Sequence, residues 1–143
     1  MDNRSRNLGL LVKAVHTAEQ NLSALINRSL SPMGINRSQL SVLAHFSARP
    51  NRSQTITSLV AGVEMKQPAV TKIVSVLIEQ GLLLAEADPV DARKKALKIT
   101  PAGMSMVFKA YGQLTPAIED VFDGMSDEEI VLLQELLKGC TNS

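Results

Sequence analysis

The sequence is poor in the side chains that bind metals or form disulfides. It has one cysteine and two histidines among 143 residues. The single Cys140 excludes an internal disulfide, and with two histidines it leaves too few ligands for a zinc site built from Cys and His. We therefore expect no metal and no cofactor. A lone thiol also suits a reducing compartment, so the expected location is cytoplasmic.

Aromatic side chains and long apolar runs are also scarce. Only 3% of the residues are aromatic and none is Trp, although 45% are hydrophobic. An aliphatic core in a chain of 143 residues favours one mainly helical domain, residues 1–143. The first residues contain no apolar run that could cross a bilayer and no small-residue cleavage site follows them, so we expect neither export nor membrane contact.

Charge is unevenly distributed, although the formal net charge is only +1. Basic side chains outnumber acidic ones between Arg37 and Thr100, whereas acidic ones predominate from Pro101 onward. A basic middle segment is typical of a surface that meets a polyanion. Ordinary scatter of surface charge is the alternative interpretation.

Apolar residues at helical spacing predict a series of helices with local boundary signals. The signals are a stop at Pro32 and Gly34, a capping box of Asn36 with Gln39, a cap at Thr55, a stop at Gly62, Pro68 in a first turn, a stop at Gly81, a cap at Thr100 before Pro101, and a capping box of Ser126 with Glu129. The capping side chains satisfy backbone N–H groups that a helix start leaves unpaired, proline lacks such a group, and glycine permits the turn that ends a helix.

The middle of the chain is typical of a helix-turn-helix. A short helix after Thr55 is followed by a turn and then by a second helix within MKQPAVTKIVSVLIEQG, residues 65–81. One side of the second helix is apolar, and the other carries Gln67, Thr71, Lys72 and Ser75. Such side chains on an exposed face can enter the major groove of DNA and reach base edges. A merely solvated helix face is the alternative.

Two short apolar stretches, LLLAEA and ALKI, follow and flank the basic run DPVDARKK. They predict a β-hairpin whose tip carries Arg93, Lys94 and Lys95 within reach of phosphates or of the minor groove. The predicted fold class is therefore mainly α with a small β wing (α+β), with a winged helix-turn-helix lobe at residues 35–100.

Helices with apolar stripes lie outside this lobe, at residues 4–31 and 101–139. They could pack on the lobe of the same chain or pair with a second copy. We favour a homodimer, because twofold symmetry doubles the contacts at a palindromic DNA site.

Three segments resemble the MarR family of bacterial transcriptional regulators. They are GINRSQLSVLAHF (34–46), MKQPAVTKIVSVLIEQGLL (65–83) and DPVDARKKALKITPAG (88–103). The third is the most specific, because it places Asp91, Arg93, an apolar strand, Thr100 and Gly103 at the family's spacing. The resemblance covers nearly the whole chain. It implies a homodimer whose terminal helices interlock and whose winged lobes bind a palindromic operator in double-stranded DNA, usually as a repressor.

The resemblance also implies roles for particular residues. It implies that the side chains facing the major groove are Gln67, Pro68, Thr71, Lys72 and Ser75. On the wing, Asp91 would orient Arg93 at the minor groove, and Lys94 and Lys95 would meet phosphates. Ser53 and Thr55 would contact the backbone of DNA, and Lys66 could contact a phosphate directly. Two positions depart from the family pattern: Ala85 replaces a common arginine of the first wing strand, and Lys66 replaces the usual Ser or Asp at the start of the recognition helix and should cap it poorly.

Other functions have weaker support in the sequence. His16 and His45 lie on different predicted helices without a surrounding motif, so we expect no enzyme. A metal-sensing repressor would need clustered ligands, and Cys140 has no neighbour that would activate its thiol. A winged helix that binds only proteins is the alternative function. Family members often respond to small aromatic effectors, and His16, Met33 and Phe46 could border such a pocket, with plain core packing as the alternative for each.

Overall fold

The computed structural model describes residues 2–140. Within that part of the chain the elements are α1 (Asn3–Leu30), a 3₁₀ turn (Ser31–Met33), α2 (Arg37–Ser47), α3 (Ile56–Gly62), α4 (Gln67–Glu79), β1 (Leu83–Ala87), β2 (Lys95–Ile99), α5 (Pro101–Val121) and α6 (Asp127–Lys138). The predicted mainly helical fold with a two-stranded wing is confirmed. No helix among these residues is long and apolar enough to cross a membrane.

Helix boundaries follow the local signals in the sequence. Both predicted capping boxes form. The side chain of Asn36 accepts a hydrogen bond from the backbone N–H of Gln39, and the side chain of Gln39 accepts one from the backbone N–H of Asn36. Ser126 and Glu129 exchange the same pair of bonds at the start of α6. The hydroxyl of Thr100 accepts a 3.0 Å bond from the N–H of Gly103 at the start of α5. These contacts span three residues, so the sequence alone suffices to predict them.

Two glycines are required by the local backbone conformation or by close packing. Gly81 ends α4 at φ +74°, a left-handed conformation that a side chain would strain. Gly103 lies in the first turn of α5 against Leu82 and Ile99 at the base of the wing, and a Cβ there would come within 2.3 Å of the backbone oxygen of Leu82. Glycine is therefore required at position 103 by close packing.

The wing is an antiparallel hairpin with a continuous register from Leu83 opposite Ile99 to Ala87 opposite Lys95. The strand bounds differ by one residue from those expected. A third segment joins the sheet: Gln54, just before α3, forms an isolated bridge with Leu97 of β2. Its N–H and C=O exchange backbone hydrogen bonds of 2.9 and 2.7 Å with Leu97. The wing is thereby fixed to the start of α3, which the sequence analysis did not predict.

The core belongs to the lobe, to the end of α1 and to α5 as far as Leu114. Its buried side chains come from α1, α2, α3, α4, both strands and α5, and include Leu30, Leu43, Phe46, Leu77, Leu97 and Leu114. By contrast, α6 has no buried residue, and Leu8, Leu11 and Val15 in the first half of α1 are exposed. The described chain thus contains one closed core and two helical segments with uncovered apolar faces.

Candidate nucleic-acid interface

The fourth helix separates its buried and exposed side chains along its length. Val70, Val74 and Leu77 are buried against the lobe, because residues three and four apart share a helix face. The exposed residues of the opposite side are Pro68 and the polar Gln67, Thr71, Lys72 and Ser75. Short polar and basic side chains therefore cover the solvent side of α4 from its first residue.

The beginning of α4 has no side-chain cap. Lys66 occupies the N-cap position and makes no capping hydrogen bond, as the sequence suggested, so its exposed ammonium is available to an external anion. The first-turn N–H groups are likewise uncapped, and Pro68 in that turn has no N–H to satisfy.

The start of α3, unlike that of α4, is capped by side chains of its own segment. Thr55 and Ser58 form a capping box in which the hydroxyl of Thr55 accepts a bond from the N–H of Ser58. Ser53 and Thr55 are both half-buried. The hydroxyl of Thr55 is therefore already engaged in capping α3, which limits its availability to a ligand.

The wing arginine is held by the neighbouring carboxylate. Both oxygens of Asp91 accept bonds from the guanidinium of Arg93, each 3.1 Å long. This contact, followed by a bond from the backbone N–H of Arg93, lowers the pKa of the Asp91 carboxyl from its usual range. The Arg93 side chain nevertheless remains 90% exposed. The pair thus presents a fixed cation on a loop.

The tip of the wing is closed by hydrogen bonds within it. The N–H of Asp88 donates to the carbonyl of Lys94, and the side chain of Asp88 accepts from the N–H of Val90. Lys94 and Lys95 are exposed beside Arg93. Three cationic side chains therefore lie at the tip and at the start of β2.

The three residues considered for an effector pocket are placed differently from one another. His16 is exposed on α1, and Met33 is partly buried against the core. Phe46 is 0% exposed within the core, so it offers no surface to a ligand in this conformation. A cavity of about 830 Å³ does lie between α1, α2 and the turn after α3, but its lining, which includes Asn27, Arg37, Ser41, His45 and Glu64, contains none of the three.

The contacts around His45 could not be predicted from the sequence. Its Nε2 lies 2.9 Å from Oε1 of Gln54, and a Cβ on Gly62 would fall 2.2 Å from its Cε1 atom. In the sequence, Gly62 looks like a helix stop and His45 has no motif around it. No local pattern joins residues from three different segments.

Within residues 2–140, no three His, Cys, Asp or Glu side chains come together in a way that could hold a metal ion. The polar side chains at the face of α4 formed by Gln67, Thr71, Lys72 and Ser75 and at the wing tip, Arg93 to Lys95, carry hydroxyl, amide, ammonium and guanidinium groups. Those groups donate hydrogen bonds and carry positive charge, which suits recognition of an anion or of base edges.

The arrangement defines a winged helix-turn-helix protein. Residues 33–94, which span most of the lobe, match the sequence model of the MarR family. The lobe is therefore similar in sequence to that family over residues 33–94.

Solved structures share the fold over nearly the whole chain. A mutant of MarR from E. coli, complexed with operator DNA, is 21% identical, with a TM-score of 0.85 over 99% of this chain and 100% of that one. The apo form of wild-type MarR from E. coli is 22% identical, with a TM-score of 0.74 over 92% and 97%. MepR from S. aureus, in a DNA complex, is 18% identical, with a TM-score of 0.79 over 90% and 94%.

Proposed function

We propose that this protein is a DNA-binding transcriptional regulator that acts as a homodimer on a palindromic operator. The observation that carries the proposal is the exposed polar face of α4, Gln67 to Ser75, in a lobe matching the MarR family. The similarity in fold to MarR in its operator complex supports the proposal.

The face of α4 supplies the base-reading groups. The amide of Gln67 can pair in a bidentate way with adenine, and the methyl and hydroxyl groups of Thr71 can contact thymine or a polar base edge. Lys72 meets phosphate or guanine, and Pro68 and Ser75 line the same face. Their exposure over a buried apolar layer supports this assignment.

The wing supplies the second set of contacts. Arg93 enters or borders the minor groove, where the negative potential of narrow A·T-rich segments attracts a guanidinium. Asp91 limits the side-chain freedom of Arg93 before binding, since it already holds two of its nitrogen atoms. Lys94 and Lys95 add phosphate contacts that position the protein without specifying a sequence.

Contacts to the sugar-phosphate backbone of DNA come from the segments that precede α3 and α4. Lys66 meets a phosphate beside the first turn of α4, and Ser53 and Thr55 contribute hydroxyl groups at the start of α3. The commitment of the Thr55 hydroxyl to its capping box makes it the weaker contributor of the two hydroxyl residues.

The terminal helices, residues 4–31 and 101–139, form the homodimer, and residues 35–100 form the DNA-binding lobe. The support is the uncovered apolar surface of the helices: Leu8, Leu11, Leu133 and Leu136 are each at least 40% exposed. Monomeric proteins rarely leave such continuous apolar stripes in water. A second copy brings identical stripes in a twofold arrangement.

The protein acts in the cytoplasm, has no catalytic role, and represses genes near its operator. A small aromatic effector releases it from DNA, and the candidate residues that remain open to it are His16, exposed on α1, and Met33, partly buried after α1. The burial of Phe46 favours its alternative role in core packing.

In vitro selection of DNA sites by the purified protein tests the central proposal. We expect an enriched palindrome whose half-sites lie about one helical turn, 10–10.5 base pairs, apart. Binding to the selected site should weaken steeply as salt rises, because phosphate contacts release counterions. Failure to enrich any sequence would contradict the proposal. It would favour the winged helix that binds only proteins, whose contacts through apolar surfaces depend little on salt.

A further inference from the structure

We propose that His45 is a positioning residue for the DNA-reading unit, because its imidazole connects α2 to both ends of α3 and so fixes where the recognition helix α4 begins. The inference rests on the proposed DNA-binding function. It concerns a residue that contacts no DNA itself.

The first connection reaches the start of α3. His45 is half-buried, and its Nε2 lies 2.9 Å from the side-chain oxygen of Gln54. Gln54 directly precedes Thr55, the N-cap of α3, and its backbone exchanges two hydrogen bonds with Leu97 of β2. One imidazole therefore joins α2 to the beginning of α3 and, through Gln54, to the wing.

The second connection reaches the end of α3. The ring of His45 occupies the space that a Cβ on Gly62 would need, with Cε1 at 2.2 Å and both ring nitrogens at 2.9 Å from that position. Gly62 does not have a positive φ, so its backbone conformation is open to other residues, and alanine has the higher helix propensity. Glycine at this position is explained by the close approach of the ring.

The core fixes the ring in turn. His45 meets Phe46 edge to face, with centroids 6.1 Å apart and an interplanar angle of 88°, and Phe46 is completely buried. The imidazole therefore contacts a buried ring of α2 as well as Gln54 and Gly62. Only Val63 to Met65 separate Gly62 from Lys66, the N-cap of α4, so a displaced α3 moves the first residues of α4.

The expected consequence is a loss of specificity rather than of general affinity. Base contacts by Gln67 and Thr71 require accurate placement of α4, whereas phosphate contacts by flexible lysines tolerate small displacements. The loss of one hydrogen bond of ordinary net strength corresponds to roughly three- to tenfold in an equilibrium constant. We expect operator affinity to fall by about that factor while binding to unrelated DNA stays unchanged.

The test uses His45→Ala, Gly62→Ala and the double variant of the full-length protein. Affinities are measured for the selected operator and for a scrambled duplex. His45→Ala removes the ring, and Gly62→Ala displaces it, so each single variant should lose operator affinity alone. The double variant should be no weaker than either, because both changes remove the same contact. His45→Gln, whose amide can still donate to Gln54, should retain most of the affinity.

Gly112→Ala controls for the glycine-to-alanine change, because a Cβ there meets nothing within 4 Å in the chain; its oligomeric state is measured alongside, since α5 belongs to the proposed dimer helices, and it serves as the control when it remains a dimer. Side-chain ¹⁵N NMR of His45 gives a readout independent of DNA: the wild type should show the proton on Nε2, protected by Gln54, and Gly62→Ala should remove that protection. If His45→Ala does not fold, Gly62→Ala with the NMR readout decides the question.

Three results would overturn the inference. They are additive losses in the double variant, equal losses for operator and scrambled DNA, and unchanged operator affinity in Gly62→Ala. A wild-type protein that selects no DNA site would instead reject the proposed function, so the two failures are distinguishable.

Discussion

The winged lobe and the terminal helices carry similar apolar side chains but bury them to very different extents. Leu43 and Leu77 in the lobe are 0% exposed, whereas Leu132 and Leu136 on α6 are 56% and 61% exposed. Full burial of one leucine is worth about 1.5–3 kcal/mol. The leucines of the lobe are buried within one chain and contribute this stabilisation. Those of the terminal helices are not buried, so we assign their missing contacts to a second copy.

The two regions also differ in charge. The lobe presents Lys66, Lys72 and Arg93 to solvent, whereas the first turn of α6 contains Asp127, Glu128 and Glu129. Carboxylates are favourable at a helix start, where the backbone N–H groups carry partial positive charge. The backbone N–H and the hydroxyl of Ser126 lower the pKa of Glu129. The acidic side chains thus stabilise the start of α6, whereas the exposed basic side chains of the lobe can attract an anion.

The substitution Leu133→Glu should have the largest effect, because it places a charge on the uncovered apolar face of α6. Leu133 is 40% exposed on α6, and a charge there would have to be buried when a second copy covers the helix. We expect a folded monomer and loss of tight operator binding, measured by analytical ultracentrifugation and gel shift. Leu84→Glu, at a leucine of the lobe that is 47% exposed, should leave the oligomeric state unchanged. A Leu133→Glu dimer with full affinity would refute the assembly.

Gly103→Ala should destabilise the joint between the lobe and α5. The added Cβ would lie 2.3 Å from the carbonyl oxygen of Leu82, a backbone atom that cannot swing away. Overpacking of this kind costs about 1–3 kcal/mol, measurable by urea unfolding. Gly112→Ala in the same helix has open space and should raise stability by up to about 1 kcal/mol. Equal effects of the two substitutions would argue against the tight joint.

Arg93→Ala should weaken operator binding by about 1–3 kcal/mol, the usual worth of a well-placed arginine contact. The dimer should persist, because Arg93 lies on the lobe and not on the terminal helices. Isothermal titration with the selected operator gives the difference, and light scattering gives the oligomeric state. Unchanged affinity would remove Arg93 from the interface.

Lys72→Ala separates two kinds of contact within the lobe. If Lys72 meets phosphate, affinity should fall for all sequences and the salt slope should decrease by about one. Binding measured over a range of salt concentrations, for operator and scrambled duplex alike, tests this. A changed preference among operator variants with an unaltered slope would make Lys72 a base reader instead.

The smallest predicted effect is the titration of Asp91. Its folded pKa is lowered chiefly by the Arg93 side chain, so the pair's contribution is present above the unfolded value of about 3.9 and is lost as pH falls through the lower folded value. Arg93→Ala should therefore raise the pKa of Asp91 towards the ordinary value. Carbonyl ¹³C NMR against pH measures it, and an unmoved titration curve would show that Arg93 does not hold the carboxylate in solution.

The sequence by itself determined the helix boundaries and the wing. The capping boxes at Asn36 and Ser126 and the stop at Gly81 depend on contacts between residues close in the chain, which local stereochemistry fixes. The exposed face of α4 was also predictable, since the helical repeat alternates its buried and exposed sides.

Only the tertiary structure decided how the segments meet. The bridge between Gln54 and Leu97, the approach of His45 to Gly62 and the packing of Gly103 on Leu82 all join residues that the sequence keeps apart. Whether Phe46 faces a ligand or the core was also decided there, because burial depends on what packs around a side chain. Close packing selects these pairs only after the helices are placed, and no short-range pattern encodes that placement.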